Sequence, residues 1–176
     1  MKPADHPEFF RLPPPAGSSR ESSIVLDAEG RFFHDGVQVQ HPGMAKAFAT
    51  WIARHPDDGR YILSNGYDWT YFRVEDVPFF VQRVLLPSSG SATEPARALP
   101  QIELSDGTVE ALDPDRLWLG PRDALYADVK GGAFQARFTR SAQLSLSELL
   151  VEAEGGGVFF DFAGRRRAIP NTPRKA

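Results

Sequence analysis

The side chains whose types and spacing could do chemistry are two acids at the end of an alternating strand, Glu75 and Asp76, and two arginines three positions apart, Arg137 and Arg140. In Trp69-Thr70-Tyr71-Phe72-Arg73-Val74-Glu75-Asp76-Val77-Pro78-Phe79-Phe80 the acids sit where the strand must stop, because Pro78 has no N–H and holds Val77 extended. Adjacent carboxylates on a strand point to opposite faces, so they cannot flank one bond as a general acid and base must. One is expected to pair with an arginine and the other to accept backbone N–H groups at the strand end. Arg137 and Arg140 fall at an expected strand-to-helix transition, where both guanidinium groups can reach one side and a helix N-terminus favours anions. Two roles are open to them: an anion site, or ion pairs with Glu75 or Asp76 between two lobes. Trp69 and Arg73, on the strand that leads to the acids, complete the candidate ligand-binding set, with Trp69 expected to be half-exposed and able to stack on a ligand.

Other chemistries find no support in the residue pattern. The chain has no cysteine, which excludes disulfides, thiol catalysis and thiolate metal sites. His6, His34, His41 and His55 lack metal-binding spacing and are expected in surface or turn positions, and Asp57-Asp58-Gly59 lacks the further oxygen ligands of a calcium loop and reads as a turn. There is no phosphate-binding lysine loop, dinucleotide-binding glycine pattern or serine elbow. No cofactor is expected, and the chain reads as a non-enzyme. Twenty basic against 23 acidic residues give a formal charge of −3, so there is no general attraction to nucleic acid or anionic lipid. The one basic cluster, Arg165-Arg166-Arg167, lies on an expected strand, where it would alternate faces and protect an edge. No apolar run reaches membrane-spanning length and the first residues lead into prolines, so the expected location is the cytoplasm.

The elements that must position these residues follow from periodicity and turns. A Pro- and Ser-rich arm, 1–23, has too little apolar content to pack alone and is expected to be draped or disordered. Short strands at Ile24 to Leu26, Arg31 to His34 and Val37 to Val39 turn at Glu29-Gly30 and Asp35-Gly36. Met44, Phe48, Trp51 and Ile52 share one helical face. Tyr61 to Ser64, Trp69 to Glu75 and Phe79 to Leu86 read as strands, the first two joined at Asn65-Gly66. These make a first lobe over 24–86. A Ser/Gly/Ala/Pro stretch over 87–100 reads as a flexible linker.

The second lobe, 101–170, opens with a hairpin at Ser105-Asp106-Gly107 and continues through Ala124 to Val129 and Phe134 to Arg140. A helix is expected at Leu146, Leu149, Leu150 and Ala153, with Ser145-x-x-Glu148 as a capping box and Gly155-Gly156-Gly157 as its stop. Val158 to Phe162 and Arg165 to Ile169 close the lobe, and 171–176 is a tail. Gly36 to Gly59 and Gly132 to Gly155 are both separations of 23 enclosing strand, helix and stop, which suggests internal duplication. The expected fold is therefore α+β, mostly antiparallel, with two related lobes of hairpin–helix–hairpin type. Phe48, Trp51, Phe72, Val74, Leu149 and Phe160 are expected to be buried.

Three segments resemble the uncharacterised bacterial family called domain of unknown function 1285. They are Glu29-Gly30-Arg31-Phe32-Phe33-His34-Asp35-Gly36-Val37-Gln38-Val39, then Phe72-Arg73-Val74-Glu75-Asp76-Val77-Pro78-Phe79, then Val129-Lys130-Gly131-Gly132 with Phe134-Gln135-Ala136-Arg137-Phe138-Thr139-Arg140. The resemblance implies a duplicated α/β core, a second lobe of loosely pleckstrin-homology-like shape, and a small non-peptide ligand bound between the lobes in a signalling role. The chain departs from the family's Thr-Pro-x-Glu-Lys before the acid-bearing strand, having Asn65-Gly66-Tyr67-Asp68-Trp69 there. It also lacks the tyrosines expected early in the second helix. Together, residues and resemblance lead to a non-enzymatic binding protein that takes a small anionic signalling ligand at Trp69, Arg73, Glu75, Asp76, Arg137 and Arg140. The alternative is a protein-interaction or adaptor module that uses a sheet edge or the Pro-rich arm.

Overall fold

A computed structural model describes residues 1–87 and 99–172. It divides into two compact units, Met1–Pro78 and Phe79–Ala176.

In the first unit, strands β1 (Glu21–Leu26), β2 (Phe32–His34) and β3 (Val37–Gln38) form one antiparallel meander, and β4 (Ile52–Arg54), β5 (Tyr61–Ser64) and β6 (Trp69–Val74) form another. Between them runs the helix α1 (Pro42–Trp51), opened by Pro42 in its first turn and by His41, whose Nδ1 accepts the Met44 N–H. The first and last strands pair in parallel, giving the order β3-β2-β1-β6-β5-β4. Pleating sends alternate residues of β6 to opposite faces. Phe72 meets Phe32, which in turn stacks edge-on to Phe48 of α1, so the even-numbered residues face the helix. Trp69 and Tyr71 face the other way.

The second unit repeats this plan. Strands β7 (Phe79–Leu85), β8 (Gln101–Leu104) and β9 (Val109–Ala111) form one meander, and β10 (Leu117–Leu119), β11 (Leu125–Val129) and β12 (Phe134–Phe138) form the next. Again the first and last strands pair in parallel, in the order β9-β8-β7-β12-β11-β10. The repeat reaches single hydrogen bonds: Glu75 N–H donates to Leu26 C=O just past β6, and Thr139 N–H donates to Val81 C=O just past β12. Helix α2 (Arg140–Ser145) follows β12 and is capped by the Thr139 hydroxyl. A separate antiparallel sheet, β13 (Leu150–Glu152), β14 (Val158–Phe162) and β15 (Arg165–Ile169), completes the unit.

The α+β class and the two related lobes stand as expected, but several details differ. Phe79 to Leu86 was grouped with the first lobe; Phe79–Leu85 instead pairs with β8 and β12, so the units divide at Pro78. Positions 88–98 of the expected linker and 173–176 of the tail lie outside the described residues. The repeat does not run Gly36–Gly59 onto Gly132–Gly155. Strand order equates the Gly132 turn with the Asn65-Gly66 turn instead. In the second unit the helix stands after the six strands and not between its meanders, where a short 3-10 turn, Pro114–Arg116, takes its place.

The expected second helix is displaced as well. Leu150–Glu152 pairs with Val158–Phe160, a ladder that a helix through Leu149 and Ala153 would forfeit. Gly155 and Gly156, at φ +109 and +91, turn that hairpin in a region where other residues are strained. Of the side chains expected to be buried, Phe72 and Phe160 are, whereas Phe48, Trp51, Val74 and Leu149 are half-buried; Met44, placed on the same helical face as Phe48 and Trp51, is exposed. The residue α1 buries is Ala49, so Phe48 and Trp51 flank that contact.

Candidate functional site

The side chains most densely interconnected in the first unit lie on the face of β6 turned away from α1. Trp69 and Tyr71 project there by strand alternation, and the connection from β4 to β5 adds His55, Asp57, Asp58 and Arg60. That connection is a tight turn, closed by Gly59 N–H to His55 C=O (2.9 Å) and His55 N–H to Arg60 C=O (2.8 Å). The rings of His55, Trp69 and Tyr71 form a mutually contacting trio, with centroids 5.0, 5.5 and 5.1 Å apart. Two guanidinium groups lie against it: Arg20 is 4.5 Å from the Trp69 centroid and Arg60 is 3.8 Å from that of Tyr71, both within cation–π range.

Acids fix these cations. Arg20 bonds Asp68 (2.6 Å) and the Trp69 carbonyl (2.9 Å), and Arg60 makes a two-pronged pair with Glu21 (2.8 and 2.9 Å). Tyr71 donates its hydroxyl to Asp58 (2.8 Å). Burial and that carboxylate both disfavour the phenolate, so the Tyr71 hydroxyl is pushed above its ordinary value.

Over this face lies the N-terminal arm. Its 3-10 turn, Pro7–Arg11, seats Phe10 against both His55 and Trp69, with centroids 6.0 Å from each. His55 Nδ1 accepts the Asp57 N–H (3.3 Å), which puts a ring proton on Nε2, and Nε2 reaches the Phe10 carbonyl at 3.3 Å. Next in sequence, Arg11 makes a bidentate pair with Asp57 (2.9 and 2.8 Å). That hydrogen-bonded pair holds the Asp57 carboxyl below the usual carboxylate range. Arg20 reaches back to the carbonyls of Leu12 and Pro13, and Ala4 N–H donates to Gly66 C=O (3.1 Å). A segment folded in short 3-10 turns is thus held by ring contact, by side-chain donors to its carbonyls and by one charge pair, contacts of the kind by which grooves hold peptides. Two donors of the face, Trp69 Nε1 and Arg20 Nε, are buried with no hydrogen-bond partner.

Of the residues marked from sequence, Trp69 belongs to this face, though buried at 5% exposure and not half-exposed. Phe10 of the arm, the His55 and Tyr71 rings and the Arg20 guanidinium remove the open side expected for a stacking tryptophan. Arg73 and Glu75, at the far end of β6, pair with each other at 3.2 Å and are exposed, as is Asp76. Arg137 lies on β12 and Arg140 opens α2, the strand-to-helix corner expected for them. The set is spread over both units: Trp69, Arg73, Glu75 and Asp76 in the first, Arg137 and Arg140 in the second.

His55 was expected at the surface or in a turn; it is in the turn but buried, since aromatic rings cover it. Phe10, Arg11, Arg20 and Tyr71 were not marked at all. The signal that could have found the first two is Phe9-Phe10-Arg11 itself, an apolar pair with an adjacent charge inside an otherwise polar, Pro-rich stretch. The arm is draped, as one of its two expected states had it, and its last residues, Glu21 to Ser23, belong to β1.

In the second unit, Arg165 and Arg167 line a cavity of about 140 Å3 with Phe160, Phe162, Asp113 and Asp115; Arg167 faces Asp115 there at 3.4 Å. Arg166 points to the other face of β15, over Phe159, so the basic run alternates faces on an edge strand as expected. Among the described residues, no group of three or more His, Cys, Asp or Glu could hold a metal ion, and no helix is long and apolar enough to cross a membrane.

No family model matches this chain, and no curated protein matches it. Two solved structures do. A DUF1285 family protein from Silicibacter pomeroyi DSS-3 is 19% identical, with 85% of this chain and 80% of that one covered and a TM-score of 0.62. A DUF1285 family protein from Shewanella baltica OS155 is 20% identical, with 74% of this chain and 94% of that one covered and a TM-score of 0.53. Identities this low carry the fold. It is the fold of the same family that the three sequence segments resemble, and both observations support a distant relationship to it.

Proposed function

We propose that this chain, similar in fold to the DUF1285 proteins, is a non-enzymatic binding protein that works as a protein-interaction module through the aromatic face of its first unit. The observation that carries this reading is the docking of Phe10 and Arg11: ring against His55 and Trp69, carbonyl to His55, guanidinium to Asp57. Nothing in that set is poised for bond making, because each cation is tied to an acid and each acid to a cation or a hydroxyl. What the set does offer is a row of directional contacts to a docked segment.

Selection of displayed peptides against the full-length chain tests it. Peptides that bind are expected to shift the amide resonances of His55, Asp57, Trp69 and Tyr71, and to lose affinity on Asp57→Lys. Ligands that map elsewhere, or a selection that enriches none, would sink the reading. The small-anion version of a binding function rests on Arg137 and Arg140. Native mass spectrometry of the purified chain tests it through retained anionic mass that Arg140→Ala removes.

A further inference from the structure

We infer that the N-terminal arm is a tethered stand-in for the true ligand, and that the face beneath it recognises a short turn-forming segment of a separate protein in which an aromatic residue is followed at once by an arginine. This rests on the interaction reading above and adds to it the partner's chemistry and the regulation of the site. The order aromatic–arginine is dictated by the face. The ring trio of His55, Trp69 and Tyr71 is adjacent to Asp57, so consecutive residues can fill both places, as Phe10 and Arg11 do. His55 Nε2 meets the carbonyl of the aromatic residue between them, which fixes the register.

The arm also fits this face imperfectly. With the arm in place Trp69 Nε1 is buried and unpaired, an arrangement that a ligand with an acceptor there would improve. Its charge pair stands open to water, Arg11 at 55% and Asp57 at 43% side-chain exposure, where such pairs hold weakly. Only two short 3-10 turns and a few backbone hydrogen bonds order the segment itself. An arm held this way closes the face without sealing it, and its removal lets a competing segment in.

The test uses a fluorescein-labelled peptide with the sequence of residues 6–15 and three receptors: the full chain, the full-length double variant Phe10→Ser/Arg11→Ser, and full-length Arg11→Glu. The last substitution is at an exposed side chain and guards against misfolding of the first. Apparent affinity is reduced by the closed fraction, so both variants are expected to bind the peptide about tenfold or more tighter than the full chain. Peptides with alanine at the aromatic or the arginine position are expected to lose that binding.

Equal binding by all three receptors would overturn the closure by the arm. A peptide of the same composition in scrambled order that binds as well would overturn the aromatic–arginine rule. A full chain that is dimeric by light scattering, and monomeric as the double variant, would make the partner a second copy and overturn the assignment to a separate protein. If neither folded variant binds the arm peptide while displayed peptides still map to His55 and Trp69, this inference falls and the interaction reading stands.

Discussion

Replacing Phe10 by alanine isolates the contact on which the closed arm depends. The ring sits 6.0 Å from both the His55 and the Trp69 centroids and 5.3 Å from that of Phe9, and it is half-buried. Full burial of a phenylalanine is worth about 1.5–3 kcal/mol, so half-burial gives roughly 1 kcal/mol. The ring contacts add about 0.5–1 kcal/mol beyond area. The loss of roughly 1.5–2 kcal/mol corresponds to about a 10- to 30-fold rise in the open population of the arm.

Amide hydrogen exchange reads this directly. The N–H groups of Ala4, Phe9 and Leu12, bonded to Gly66, His6 and Phe9 carbonyls, are expected to exchange faster by that factor, while those in the β5–β6 ladder keep their protection. Trp69 should become accessible to a collisional quencher in the same variant. If exchange rises equally in the arm and in β5–β6, Phe10 is part of one cooperative core and the arm does not open by itself. Arm amides that do not change would mean that Phe10 does not hold the arm, and the reasoning would fail at its first step.

Acid should loosen the arm. Asp57 is held below its ordinary value by Arg11, so its contribution is whole above that value, about 3.9, and is lost as pH falls through the lower folded one. Arm exchange rates measured against pH should show this step, and Asp57→Asn should reduce it, leaving the part that Asp68 contributes through Arg20. In the second unit, Lys130 Nζ bonds Asp106 at 2.7 Å, with side-chain exposures of 24% and 8%, and lies over the Phe79 ring. Lys130→Met is expected to cost roughly 1–3 kcal/mol in urea unfolding by leaving the nearly buried Asp106 without its cation, with only the Thr108 donors to hold it. Gly156→Val should destabilise the β13–β14 hairpin by about 1–2 kcal/mol, since φ is +91 there, and a neutral result by calorimetry would contradict the turn.

The strands were legible in the sequence because alternation and turn chemistry are local. Val158–Phe162 and Arg165–Ile169 came out to the residue, and Asn65-Gly66 and Asp35-Gly36 turn where they were expected to. What failed required knowledge of partners. Nothing within Phe79–Leu85 says that it belongs with β12, 55 residues on, and not with β6 just before it; the parallel pairing of first and last strands decides that. Likewise Leu146 to Ala153 has helical spacing, but Leu150–Glu152 finds a ladder with β14, and tertiary pairing overrides a short amphipathic pattern.

The same distinction explains which half of the candidate site could be read. Trp69 was marked because it lies on an evident strand; His55 and Phe10 were not, because each becomes significant only through the other. A histidine closing a turn and a phenylalanine in a Pro-rich arm are individually ordinary, and 45 positions separate them. Folding brings the ring to the imidazole and the next residue's guanidinium to Asp57, and that conjunction gives the face an aromatic–arginine order. Glu75, by contrast, drew notice as half of an acid pair, yet its exposed contact with Arg73 two residues away is the kind of surface ion pair that contributes little energy or specificity. In this chain the local cluster of charges resolves into an exposed ion pair, whereas the aromatic pair of a segment without a core of its own supplies the ring contacts of the candidate face.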